Sequence, residues 1–163
     1  TMRVNFFSFR KSSFIFVFIF FLQFQSIQSS ENKSDSTKLS ELWNSAINHN
    51  KNRNHYAALE EYSKALIIAP NNHLLFYNRG LTYANLQLLT QAINDFDNSI
   101  KIKPDFGPGY GDRGMAFYDL DQKIKACADF KKAADLKYDR AVIWIKDPKR
   151  NSWCIKQIKL FEK

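Results

Sequence analysis

Four kinds of residue return at one interval along this chain, and that interval limits its fold more than any other feature. Pro70 and Pro104 stand 34 residues apart, as do Gly80 and Gly114. Ala58, Ala92 and Ala126 keep the same register, and so do the aromatics Tyr62, Phe96 and Phe130. A period of about 20–50 residues marks a repeat architecture, in which each unit is covered by its neighbours. The small residues let the two helices of a hairpin approach closely, and the aromatics fill the space beside them. Pro70 and Pro104 end the second helix of their units, because Pro removes a donor and disfavours helix in the residue before it. Five Gly and four Pro are too few for the turns of an all-β sandwich.

The columns carry a resemblance. Residues 73–106 look like a tetratricopeptide unit, with Phe76, Gly80, Tyr83, Ala92, Phe96 and Pro104 at the family's signature places and Ser99 in place of its second Ala. Residues 107–140 are similar through Tyr110, Gly114, Phe117, Ala126, Phe130 and Ala133, with Tyr138 where the closing Pro would stand. Residues 39–72 match through Ala58, Tyr62, Ala65 and Pro70, while Ala46 replaces the Gly, His49 an aromatic, and Trp43 lies one place late. The resemblance implies an all-α fold: a right-handed superhelical stack of antiparallel helix hairpins, an α-solenoid. A stack needs a terminal cap, and Ala141, Val142, Ile143, Trp144 and Ile145 predict a capping helix in segment 141–163, broken at Asp147-Pro148. A further short helix is predicted over 151–161, setting Trp153, Ile158 and Phe161 against the cap.

Segment 1–29 reads as a secretory signal. Arg3, Arg10 and Lys11 lead an apolar run from Phe14 to Phe24, followed by small residues with cleavage near Ser29. The alternative is an uncleaved membrane anchor, for which the run is short. Residues 30–38 read as a polar linker. The net charge of +8 includes the three positive charges of that leader and a basic C-terminal segment with Lys146, Lys149, Arg150, Lys156, Lys159 and Lys163. That segment reads as a solvated tail, and export weighs against nucleic acid.

Sites for chemistry are scarce. Gly109, Gly111 and Gly114 match G-x-G-x-x-G, but a helix precedes them where a strand is needed, and Gly114 belongs to the repeat's small column. His49, His55 and His73 have no metal-ligand spacing. No nucleophile elbow or paired carboxylates stand out, so no catalytic, cofactor-binding or metal residue is assigned and the chain reads as a non-enzyme. Arg79 and Arg113 share one column, and Glu61, Asp95 and Asp129 share another. The pattern predicts charge pairs that fix hairpin register, with a ligand role for the arginines as the alternative. Cys127 and Cys154 are either two thiols or one bridge, and the bridge requires Cα atoms within about 7 Å.

The resemblance implies a protein–protein interaction module of a periplasmic or secreted compartment, an adaptor, scaffold or assembly factor holding a peptide or partner helix. A membrane-anchored scaffold and an accessory subunit of an enzyme complex are the alternatives. In a solenoid the first helices line a concave surface. That face is predicted to carry Trp43, Asn44 and Ile47, then Tyr77, Asn78 and Leu81, then Asp112, Met115 and Tyr118. Tyr77 and Asn78 are expected to meet the partner, and Asp112 to favour a basic residue on it. Replacing Tyr77 and Asn78 by Ala is expected to leave the fold intact. Members of the family that clamp acidic chaperone tails carry two Lys, two Asn and one Arg. Here only Asn78 matches, and Trp43, Ile47, Pro108 and Asp112 occupy the other places.

Overall fold

The computed structural model describes residues 33–161, without the side chains of 151, 155 and 157–161. The predicted export leader at 1–29 lies outside those residues. The chain divides into two compact units, Thr1–Ser40 and Glu41–Lys163. In the first, residues 33–40 are helical, and 33–38 are all exposed. Local bonds support that helix: the hydroxyls of Ser36 and Thr37 donate to the Lys33 carbonyl and that of Ser40 to the Thr37 carbonyl.

The second unit is a right-handed stack of antiparallel hairpins. Helix α1 covers residues 41–51. It is followed by α2 (His55–Ile68), α3 (His73–Asn85), α4 (Leu89–Ile102), α5 (Gly107–Asp119), α6 (Lys123–Asp135), α7 (Asp139–Lys146) and α8 (Pro148–Phe161). Among the described residues there is no strand. The hairpins α3–α4 and α5–α6 pack most extensively, and α2 on α3, α4 on α5 and α6 on α7 join one unit to the next.

The repeat columns make the core. Ala58, Ala92 and Ala126 are fully buried, with Tyr62, Phe96 and Phe130 beside them. A Cβ on Gly80 would stand 2.8 Å from a Phe96 ring carbon, and one on Gly114 3.0 Å from Phe130, so the small residue is what lets the ring seat. Truncating such a ring to Ala costs about 3–5 kcal/mol. In the first unit Leu42 stands at the place of Phe76 and Tyr110 and is buried, while Trp43 lies half-buried, edge-on to Tyr62 with centroids 6.4 Å apart.

Helix ends follow two designs. Before Pro70 and Pro104, α2 and α4 stop at residues whose caps, Ala69 and Lys103, bond back to Ala65 and Ser99. Within hairpins the chain turns through a left-handed residue: Arg53, Gln87 and Asp121, with φ of 60, 59 and 58°. The next amide closes each turn, as in Leu88 N to Tyr83 O at 2.9 Å. Each non-Gly residue held there costs about 1 kcal/mol. The third unit lacks its Pro and ends α6 by the same device, with Lys137 at φ 59° and Tyr138 N bonded to Ala133 O. Tyr138 then covers α5, its ring edge 2.6 Å from where a Cβ on Gly111 would lie.

The cap breaks at Asp147-Pro148 as predicted, but α8 begins at Pro148, three residues earlier than expected. Pro supplies a fitting first helical residue, and Asp147 Oδ1 accepts from the amides of Lys149 and Arg150. Trp153 meets Trp144 of α7 at 6.2 Å; the side chains of Ile158 and Phe161 lie outside those described. Cys127 of α6 and Cys154 of α8 are joined as a disulfide with Cα atoms 5.5 Å apart.

Candidate functional site

The first helices are tied to one another by polar rungs along the predicted binding face. Asn50 of α1 donates to the Thr82 hydroxyl of α3 at 2.8 Å. The Tyr77 hydroxyl of α3 donates to Asp112 of α5 at 2.6 Å. Asp112 then faces Arg140 of α7 at 3.5 Å. Asp112 is only 9% exposed, and burial raises its pKa despite the Tyr77 hydrogen bond and the Arg140 charge. Burial, followed by the Asp112 carboxylate, likewise pushes the Tyr77 phenol far up.

These rungs correct the sequence reading of two groove residues. Tyr77 packs its ring on Phe96 and Phe106, with centroids 5.9 and 5.0 Å away, and spends its hydroxyl on Asp112. Asp112 has its basic neighbour within the chain, at Arg140. Tyr77→Ala would empty that packing and leave a buried carboxylate without its donor, so it is unsuited as a silent groove variant. The Asn78 amide donates to the Leu74 carbonyl of its own helix at 2.8 Å. Asn44, Met115 and Tyr118 are exposed, whereas Trp43, Ile47, Asn78 and Leu81 are partly covered. The open part of the face is thus Asn44 at one end and Met115 and Tyr118 at the other, with Asn78 half-buried between them.

The repeated arginines are structural. Arg79 holds Asp95 through two hydrogen bonds of 2.7 and 2.8 Å and reaches Ser63 of the preceding hairpin at 3.1 Å. Arg113 grips Asp129 the same way, at 2.7 Å twice, and reaches Asp97 of the preceding hairpin. Aromatics of the same helix flank each guanidinium: Phe76 and Tyr83 for Arg79, Tyr110 and Phe117 for Arg113. Burial works against the Arg113 charge, but the bonds to Asp129 and Asp97 outweigh it and its pKa is raised. The third partners, Ser63 and Asp97, also keep the 34-residue spacing, a signal that could have predicted them. In the first unit Ser45 stands in the arginine column, and Glu61 pairs with Lys64 instead.

Beyond α5 the face deepens. Met115, Tyr118, Trp144, Lys149, Arg150 and Trp153 enclose a cleft of about 300 Å³. A smaller one of about 60 Å³ adjoins it, walled by Asp112, Tyr138 and Arg140. Tyr118 and Trp153 meet at 5.5 Å, and Trp144 lies on Phe130 at 4.0 Å. Of these cleft residues the sequence places Asp112, Met115 and Tyr118 on the face. The others stand on α7 and α8 or, as Tyr138, just before α7.

The glycine fingerprint has a packing explanation. Gly109, Gly111 and Gly114 all lie within α5, against Ile100 and Phe106, Tyr138, and Phe130 respectively. Among the described residues no cluster of three His, Cys, Asp or Glu could hold a metal, and no helix is long and apolar enough to cross a membrane.

Residues 74–106 match the tetratricopeptide repeat family. The small glutamine-rich tetratricopeptide repeat-containing protein 2 of Saccharomyces cerevisiae is 29% identical over 90 residues, 55% of this chain and 26% of that protein. The small glutamine-rich tetratricopeptide repeat-containing protein of Dictyostelium discoideum is 31% identical over 114 residues, 70% of this chain and 33% of its own length. The chain thus spans a third or less of these relatives. Among solved structures, the first TPR of Spaghetti (RPAP3) bound to the HSP90 peptide SRMEEVD superposes with a TM-score of 0.63 at 20% identity. It covers 78% of this chain and 96% of that one.

Proposed function

We propose that this chain, whose stacked hairpins are tetratricopeptide repeats, is a non-catalytic adaptor that holds a peptide or partner helix along the face of its first helices. The observation that carries the reading is the arrangement of that face. Polar rungs fix α1, α3, α5 and α7 side by side, while Asn44, Met115 and Tyr118 stay exposed between them. A rigid face of exposed amide and apolar groups binds without the entropy cost of ordering itself. A structure of the same fold holds an HSP90 peptide, which supports peptide binding as the mode. The ligand chemistry differs here, because the charge set for an acidic tail is absent: Trp43 packs on Tyr62, and Asp112 is buried against Tyr77.

We place the adaptor in an exported compartment. The leader pattern at 1–29 supports this, and so does the Cys127–Cys154 bridge, since such bridges persist where the surroundings are oxidising. Sequencing the N-terminus of the native protein tests it: a start near Ser30 is expected, and an intact segment from Phe14 to Phe24 would replace export with anchoring.

The test of function is affinity capture from the native source with Asn44→Arg and Asn78→Arg combined. Neither side chain supports the core, so helicity and Tm should hold while the partner is lost. Undiminished capture would move the site off this face.

A further inference from the structure

The basic charge at the C-terminus, which the groove leaves unused, acquires a direction in the structure. Residues 41–145 carry thirteen basic and twelve acidic side chains, so the repeats are close to neutral, whereas 146–163 carry six basic against two acidic. The sequence alone reads that excess as a solvated tail, but Pro148–Phe161 form α8. A helix sorts its residues by angle, about 100° apiece. Lys149, Ser152, Lys156 and Lys159 are spaced by three, four and three, and so stand in one row along α8. Cys154 lies two residues from both Ser152 and Lys156, on the opposite side of the helix. Its bond to Cys127 of α6 turns that opposite side toward the stack. Lys149, Ser152 and Lys156 are accordingly exposed, while Trp153 and Cys154 are half-buried.

The row is also uncompensated. Lys64 and Lys123 of the repeats pair with neighbouring carboxylates. Among the described residues, exposed Lys146, Lys149 and Lys156 form no ion pair. Asp147, the acid nearest to them, accepts the amides of Lys149 and Arg150 and pairs with the Arg150 side chain. We propose that this outward row of α8 is a peripheral docking face for an anionic lipid bilayer, with Lys149, Lys156 and Lys159 as its principal contacts. Clusters of four or more basic residues on an amphipathic helix suit a layer of anionic headgroups. Lysine is a hydrated point charge without the fork by which arginine grips one carboxylate or phosphate, so the row matches a plane of charge rather than one fixed group. Because Trp153 and Cys154 are held against the stack, the contact is electrostatic and needs no insertion. The leader read at 1–29 directs the chain away from nucleic acid, the other polyanion that such a row fits. Helix α8 ends the stack and α1 begins it, so the docking face stands apart from the groove reading.

Partitioning of the full-length protein tests the proposal, by titration with phosphatidylcholine vesicles and with vesicles that also contain phosphatidylglycerol. The readout is the ratio of the anionic to the neutral partition coefficient, in which any apolar contribution from the leader cancels. The unaltered protein should favour the anionic vesicles, and the ratio should fall as salt rises from about 0.1 M to about 1 M and the screening length shrinks from about 10 to about 3 Å. Lys149→Gln, Lys156→Gln and Lys159→Gln combined should lower the ratio about a hundredfold, since each lysine near such a surface is worth about fivefold. Gln matches Lys in helix propensity, so circular dichroism should show α8 retained. Lys51→Gln, Lys101→Gln and Lys131→Gln combined remove the same charge from three exposed lysines of the repeats and should change the ratio by less than about threefold. Equal losses from the two triple variants would show that net charge, not this face, governs binding and would overturn the proposal. A ratio of one for the unaltered protein would overturn it too. So would tighter binding to polyglutamate or to a duplex oligonucleotide than to the anionic vesicles, which would assign the row to a polyanionic chain.

Discussion

Asp95 is 1% exposed and has its charge matched by the two-point grip of Arg79. A buried carboxylate that loses its partner costs far more than a surface pair contributes. Arg79→Leu should therefore lower stability by about 3–5 kcal/mol in urea unfolding, and adding Asp95→Leu should recover most of the loss. A loss below about 1 kcal/mol would mean that water reaches Asp95 and the pair behaves like a surface one. Asp112 makes a prediction of opposite character, since burial raises its pKa. Its ionised form costs the fold stability at neutral pH, and the cost is relieved as pH falls through the raised value toward that of an ordinary Asp. The stability of the unaltered protein relative to Asp112→Asn should thus improve with acidification across that window. A difference that stays flat would show that Arg140 offsets the burial. The arginine–aspartate columns were legible because both recur at the repeat spacing. The Tyr77–Asp112–Arg140 rung was not, because its three residues stand in three different columns and no repeated spacing links them.

At the scale of elements, the hairpins could be read from small residues opposite aromatics, while their turns could not. Arg53, Gln87 and Asp121 hold a left-handed backbone with no Gly or Asn to announce it; the closing bonds of the turn impose the conformation on whatever residue stands there. The third unit shows a similar substitution of means, Tyr138 and a left-handed Lys137 replacing the proline stop of the earlier units. The last helix depends on a covalent tie. The bridge closes a separation of 27 residues, for which chain-entropy reasoning gives about 3–4 kcal/mol. In Cys154→Ser the loss should fall on α8: hydrogen exchange should quicken there and leave α3 to α6 protected. Uniform loss of protection would mean that the cap and the stack unfold as one.

Across the whole molecule, binding is a consequence of stacking. Each hairpin leaves its first helix beside the next, so a face exists only because at least two units are present, and its chemistry changes from amide at Asn44 and Asn78 to apolar and cationic near α8. The open end of that face was legible from helical position alone. Which residues the fold consumes internally was not, because burial of Tyr77 and Asp112 depends on Phe106, Tyr138 and Arg140, which follow the hairpins that carry them. The central claim is that partners sit on this face, and site-specific photo-crosslinking tests it most directly. A crosslinker would replace Asn44 or Met115 on the face and, for comparison, Ile67 of α2, which is 81% exposed. Adducts of one partner from positions 44 and 115, with none from 67, are the predicted result; adducts from 67 alone would contradict the account.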